Sequence, residues 1–123
     1  MLTEGMRIIR IDEIPEEDRG EYSIKRLFTE TLKHDVENVG FYRTLIPAGN
    51  KVPRHHHESL DEVLFFLTDG VVETEEYGQI EFQSGDSLFI EKGEDHEIIA
   101  VENEIRLIAV KLPNNVDDKR VTA

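Results

Sequence analysis

The sequence predicts an all-β chain folded as a sandwich or barrel. Three observations lead there. Apolar residues recur with a period near two almost throughout, the runs are short and evenly spaced, and Gly, Pro and Asp turns separate them. A single helical turn is predicted, near Ile14–Asp18, kept short by Pro15 and the acidic residues after it.

Met6–Ile11 is a short apolar-rich run that reads as an edge strand. Tyr22–Thr29 sets Tyr22, Ile24, Arg26 and Phe28 against Ser23, Lys25 and Leu27, which predicts a second strand. Val39–Ile46 is rich in aromatic and β-branched residues, which suit a pleated surface, and Pro47-Ala48-Gly49 ends it. Glu62–Leu67 and Val71–Tyr77 flank Asp69-Gly70, a pair that predicts a hairpin. Gly78 reverses the chain into Gln79–Phe82, and Ser84-Gly85-Asp86 turns it again into Ser87–Ile90. Lys92–Asp95 is a polar loop around Gly93. Glu97–Val101 and Ile105–Leu112 are the last strands, separated by Glu102–Glu104. The polar tail, Asn114–Ala123, is expected to fray. With no repeat and no linker, residues 1–123 read as one domain with its core over about 36–112.

Composition narrows the function. Lys and Arg total 14 against 27 Asp and Glu, a formal charge of −13. Such a chain lacks the cations that neutralise nucleic-acid phosphates or dock on anionic lipid, so neither partner is expected. Cysteine is absent, which excludes disulfides, zinc fingers, iron–sulfur clusters and thiol catalysis. The longest strongly apolar run is Val63–Leu67, far short of a membrane helix. The first residues have no basic head followed by an apolar stretch, so a cytoplasmic location is expected.

The segment Arg54-His55-His56-His57-Glu58 holds three of the five histidines. On an extended strand, His55 and His57 point to one face and His56 to the other. Two imidazoles on one face suit a metal ion. Glu62 opens the next strand, where its carboxylate can reach back, although Asp61 and Glu58 are alternatives. His96 lies far on in sequence, at the start of another strand, and completes a shell of three imidazoles and one carboxylate if the sheet closes. These donors suit iron, manganese, nickel, copper or zinc, and donor type does not choose among them. A histidine run at a solvated turn is equally consistent with plain polar surface.

Gly49-x5-His55-x-His57-x4-Glu62 resembles the first motif of the cupin superfamily, and Gly85-x5-Glu91-x-Gly93-x2-His96 resembles the second. The two motifs and their connection span about half of the chain. The resemblance implies a double-stranded β-helix, or jelly-roll barrel, with His55, His57, Glu62 and His96 binding one divalent transition metal ion. Three positions depart from the family pattern. Asp69 stands where Gly is usual, with Gly70 one later; Glu91 replaces Pro; and Ala100 replaces Asn, which puts polar contacts near the pocket in doubt.

With Glu62 turned inward, Leu64 and Phe66 also face in, and the outward set Val63, Phe65 and Leu67 is wholly apolar. Ile105–Val110 is likewise apolar on both faces. A solvated sheet face is polar, so a covering layer is needed. The N-terminal strands can supply it, as can a second subunit; cupins are often dimers, and a homodimer is the expectation. Of Tyr42 and Arg43, only one faces the pocket; Arg43 there suits an anionic substrate. His56 is expected to face away, and His34 to sit in a solvated turn. The function that follows is a small metal-binding cupin, either an enzyme of dioxygenase, isomerase or lyase type on a small organic substrate, or a non-catalytic module that binds a small molecule or sugar.

Overall fold

A computed structural model describes residues 5–115 and 117–121. Among the described residues twelve strands follow one another: β1 (Arg7–Ile9), β2 (Glu17–Asp18), β3 (Ser23–Ile24), β4 (Gly40–Ile46), β5 (Lys51–His56), β6 (Asp61–Phe66), β7 (Gly70–Thr74), β8 (Gly78–Phe82), β9 (Ser87–Ile90), β10 (His96–Ile99), β11 (Ile105–Leu112) and β12 (Arg120–Val121). They form two five-stranded antiparallel sheets, ordered β1-β9-β6-β11-β4 and β12-β5-β10-β7-β8, beside a small β2-β3 ribbon. The inner faces meet in a core that includes Leu64, Phe66, Val72, Phe82, Leu88, Ile90, Ile98 and Leu107, all buried. Phe66 from one sheet stacks on Phe82 from the other, with ring centroids 4.6 Å apart. This is the all-β architecture that the strand pattern predicts, in the jelly-roll form that the cupin resemblance implies.

Asp69-Gly70 does not make a hairpin. β6 pairs with β9 and β11, whereas β7 pairs with β8 and β10 in the opposite sheet. The chain therefore crosses between sheets at this turn. Gly70 has a tight reason to be there: a methyl group on it would lie 2.8 Å from Phe66 Cε1. A turn signal reports that the chain bends, and the partners of the flanking strands are set by the whole sheet.

The N-terminal third differs more. Of Tyr22–Thr29 only Ser23–Ile24 is a strand, paired with Glu17–Asp18, and the helical turn lies at Ile11–Glu13 rather than Ile14–Asp18. The alternation of this segment serves another purpose. It runs across the outer face of the first sheet, where Phe28 meets Phe89 edge-on with centroids 6.2 Å apart. Asp86, fully buried, holds the segment by accepting from the amide of Ile11 at 2.8 Å and from Arg10 at 2.9 Å.

The expected frayed tail is also corrected over its described part. Arg120 and Val121 pair with His56 and His55 on β5. Asp118 is buried and accepts from the amides of Glu58 and Ser59 at 2.9 and 2.7 Å and from the Ser59 hydroxyl at 2.8 Å. Polar composition reads as loose chain, but here a polar side chain supplies the acceptor that a corner of backbone lacks.

Candidate metal centre

The two sheets bring the four candidate ligands to one point between them. Glu62 extends from β6 in the first sheet. His55 and His96 face each other in register on β5 and β10 of the second, and His57 follows β5 by one residue. All four are buried, and one donor atom from each lies within 4.8 Å of the other three. The imidazole centroids stand 5.1 Å apart for His55–His57, 4.3 Å for His55–His96 and 5.9 Å for His57–His96.

Each ring is turned by its far nitrogen. Nδ1 of His55 donates to the carbonyl of Pro53 at 2.8 Å, that of His96 to Glu94 at 3.1 Å, and that of His57 to Asp118. A carbonyl only accepts, so Nδ1 carries the hydrogen in all three rings and each Nε2 presents a lone pair. Nε2 of His57 and of His96, together with Oε1 of Glu62, are buried without any hydrogen-bond partner. Glu62 Oε1 is 3.5 Å from the first and 3.3 Å from the second, near enough for charge to act. Buried lone pairs that face one another without a shared proton are costly in an apolar core. A cation among them removes that cost, so the residues present fit a metal ion, and carbonyl partners on the outer nitrogens are the usual support for such ligands.

The electrostatics favour a neutral donor ring at His55 and a proton at His57, which a metal ion would have to displace. Burial, then repulsion from His96, pushes His55 down to about 4, so the ring stays neutral and able to donate its lone pair. Burial also acts to lower His57, but the nearby Glu62 carboxylate and the Asp118 carbonyl outweigh it and the net direction is upward. Burial acts to raise Glu62, and the contacts with His57 and His96 override it and hold the carboxyl well below the usual range.

The alternative carboxylates lie elsewhere. Asp61 accepts from the amide of Lys92 at 3.0 Å, and Glu58 is exposed, 3.3 Å from Arg120. His56 turns away to Asp95, at 3.2 Å, as strand parity requires. His34 is not freely solvated: its Nε2 lies 3.0 Å from the carbonyl of Leu112 and donates to it. Beside the centre opens a cavity of about 200 Å³ with Tyr42, Val52, Leu64, Ile98, Leu107, Lys111 and Lys119 in its wall. Tyr42, not Arg43, is the residue of that pair in the wall. Ala100 does not line the cavity. Sequence reasoning missed Lys111, Lys119 and Asp118. For Lys111 the signal was available, since it stands two residues after Ala109 and opposite Glu62. For the tail there was none.

A family model described as a cupin domain matches residues 41–111. No curated protein matches the chain. Among solved structures, the DMSP lyase DddQ of Ruegeria pomeroyi superposes with a TM-score of 0.64 at 20% identity, covering 70% of this chain and 44% of that one. An uncharacterized conserved protein with a double-stranded β-helix domain from Klebsiella pneumoniae gives 0.63 at 11% identity, covering 74% of this chain and 80% of that one. A predicted oxalate decarboxylase of Thermotoga maritima gives 0.54 at 22% identity, covering 86% and 98%. The chain thus spans less than half of the lyase, and at these identities the likeness is one of fold. The family match extends over more than half of the sequence and takes in all four buried candidate ligands, and on that ground the chain belongs to the cupin domain family.

Proposed function

We propose that residues 1–123 form one small cupin domain that holds a divalent transition metal ion through His55, His57, Glu62 and His96 and acts on a small organic molecule beside it. One observation carries this reading: three rings are each turned by a backbone carbonyl so that their lone pairs meet one buried carboxylate. Iron, manganese, nickel, copper and zinc all suit the donor set. When bound, such an ion polarises a carbonyl, stabilises an enolate or activates water. The residues around it orient and shelter a ligand: Val52, Leu64, Ile98 and Leu107 keep the wall apolar, and the cavity of about 200 Å³ limits the size. Neighbours named as a DMSP lyase and as oxalate decarboxylases support an enzymatic role of lyase, isomerase or dioxygenase type. A module that binds its ligand without turning it over is the competing outcome.

The test is metal loading of untagged protein. One ion per chain is expected at pH 8 from at least one of the five metals, and no uptake of any overturns the reading. Acid should then release the ion. Each imidazole must be neutral to donate, so falling pH favours the proton over the metal. Release is expected below the free imidazole value of about 6.5, and more steeply than for one proton, since several rings protonate together. A chelating dye followed from pH 8 to pH 4 reads it.

The same reading includes a homodimer. The N-terminal segment covers the outer face of the first sheet only on its β9 side. On the other side Phe41 is 70% exposed, Leu45 43% and Leu67 42%. Phe41, Val110 and Val63 align across three strands, with Ile108 and Phe65 beside Arg43 in the next row. A second copy laid on this face buries the apolar rows against themselves. Sedimentation at micromolar concentration is expected to give a dimer, and Phe65→Glu a monomer with its metal retained. A monomeric parent protein excludes the dimer.

A further inference from the structure

The metal cavity has an unusual charge for this chain. The protein carries 27 acidic residues against 14 basic ones. Yet among the described residues Glu62 is the only carboxylate in the cavity wall, and it faces the histidines. Two cations, Lys111 and Lys119, line the same cavity. Neither has an ion-pair partner among the described residues, although carboxylates outnumber cations nearly two to one over the chain.

Their placement is also structured. Lys111 stands on β11 opposite Glu62, and its Nζ lies 5.1 Å from the centroid of the Tyr42 ring. The Tyr42 hydroxyl in turn donates to Asn114 Oδ1 at 2.5 Å, which fixes the ring. Lys119 arrives from the other side, on the tail that Asp118 ties down. The rest of the wall is largely apolar, Val52, Leu64, Ile98, Leu107 and Ala109, with Thr44 as its one further hydroxyl besides Tyr42. Unpaired cations beside an apolar cavity attract a counter-charge that the protein itself does not provide there.

We propose that the ligand is a small organic carboxylate, with its charge between Lys111 and Lys119 and its apolar part against the β6, β10 and β11 side chains. The inference rests on the metal-centre reading and names the substrate class for it. At about 30 Å³ for a water-sized group, a cavity of about 200 Å³ admits about seven non-hydrogen atoms. Two ammonium groups match the two oxygens of a carboxylate. A phosphate presents further oxygens, for which the wall beyond the lysines offers only the Thr44 hydroxyl and the Tyr42 hydroxyl, the latter already given to Asn114.

The experiment compares butyrate, butyramide and inorganic phosphate by calorimetry on the metal-loaded protein at low salt. Butyrate is expected to bind at least tenfold tighter than butyramide and tighter than phosphate. Lys111→Gln with Lys119→Gln, and Lys119→Glu alone, should each weaken butyrate at least tenfold while metal content stays at the parent value. Lys119 is exposed, so its charge reversal spares the fold even if the double variant does not. Equal binding of butyrate and butyramide, preference for phosphate, no butyrate binding at 50 mM, or butyrate binding unchanged in the lysine variants overturns the proposal with the metal in place. Failure of the metal-centre reading shows differently, as a chain that takes up no metal at all.

Discussion

Replacing His96 with Ala is expected to weaken metal binding by more than about 100-fold, and His57→Ala by as much, while His56→Ala leaves it unchanged. His96 is 1% exposed, and its Nε2 has no partner but the centre. Its loss removes one of four donors and leaves Glu62 with a single imidazole 3.5 Å away. Supporting partners of metal ligands are worth about 10- to 100-fold in affinity, so a ligand itself exceeds that range. His56 is the internal control. It belongs to the same run of three histidines but points to Asp95, so its loss removes no donor. Competition against a chelator of known affinity measures all three variants. A large loss in His56→Ala with retention in His57→Ala contradicts the strand parity on which the site is built.

Asp118→Ala is expected to destabilise the metal-free protein by about 2 kcal/mol and to loosen metal binding about tenfold. The side chain is 3% exposed and accepts from two amides and one hydroxyl at 2.7 to 3.1 Å. Burial acts to raise its pKa, but these donors prevail and lower it, so it is a carboxylate at neutral pH. Hydrogen bonds to a charged group are worth about 1.5 to 3 kcal/mol each when buried. Glu58 and Ser59 are themselves exposed, so water replaces part of what is lost and the total stays near one such bond. The metal effect has a separate route. His57 Nδ1 donates to the Asp118 backbone carbonyl, which survives the substitution but loses the anchor that holds it in place. Urea unfolding without metal and a chelator titration with it separate the two. A stability change under about 0.5 kcal/mol shows that the tail is not anchored through this side chain.

The chemistry of the centre was legible early because strand parity is a local property. His55 and His57 are two apart, so any extended backbone puts them on one face, and His56 on the other, whatever the fold. The choice of Glu62 over Asp61 and Glu58, and the addition of His96, came from the resemblance of the two motifs to cupins. The geometry then brings those four residues together and leaves Asp61 on the amide of Lys92. The outer-face rows, the turns and most strands from Val39 on were readable in the same way, since each is a statement about which side of the chain is apolar.

What sequence alone determined, therefore, is which residues share a face and where the chain bends. Tertiary structure alone decided what each face meets. Asp69-Gly70 bends as expected but sends β7 to the other sheet, because β9 and β11 already flank β6. Tyr22–Thr29 alternates like a strand, yet beyond Ser23–Ile24 its described residues join no sheet, and Phe28 serves as a cover for Phe89. Asp118 is a polar residue in a polar tail, and it gains its place only from a corner of backbone at Glu58 and Ser59, about 60 positions away. Periodicity records the burial of a side chain relative to its immediate neighbours. The partner that buries it, or the orphan group that it satisfies, is brought up by contacts distant in sequence, and no local pattern carries that information.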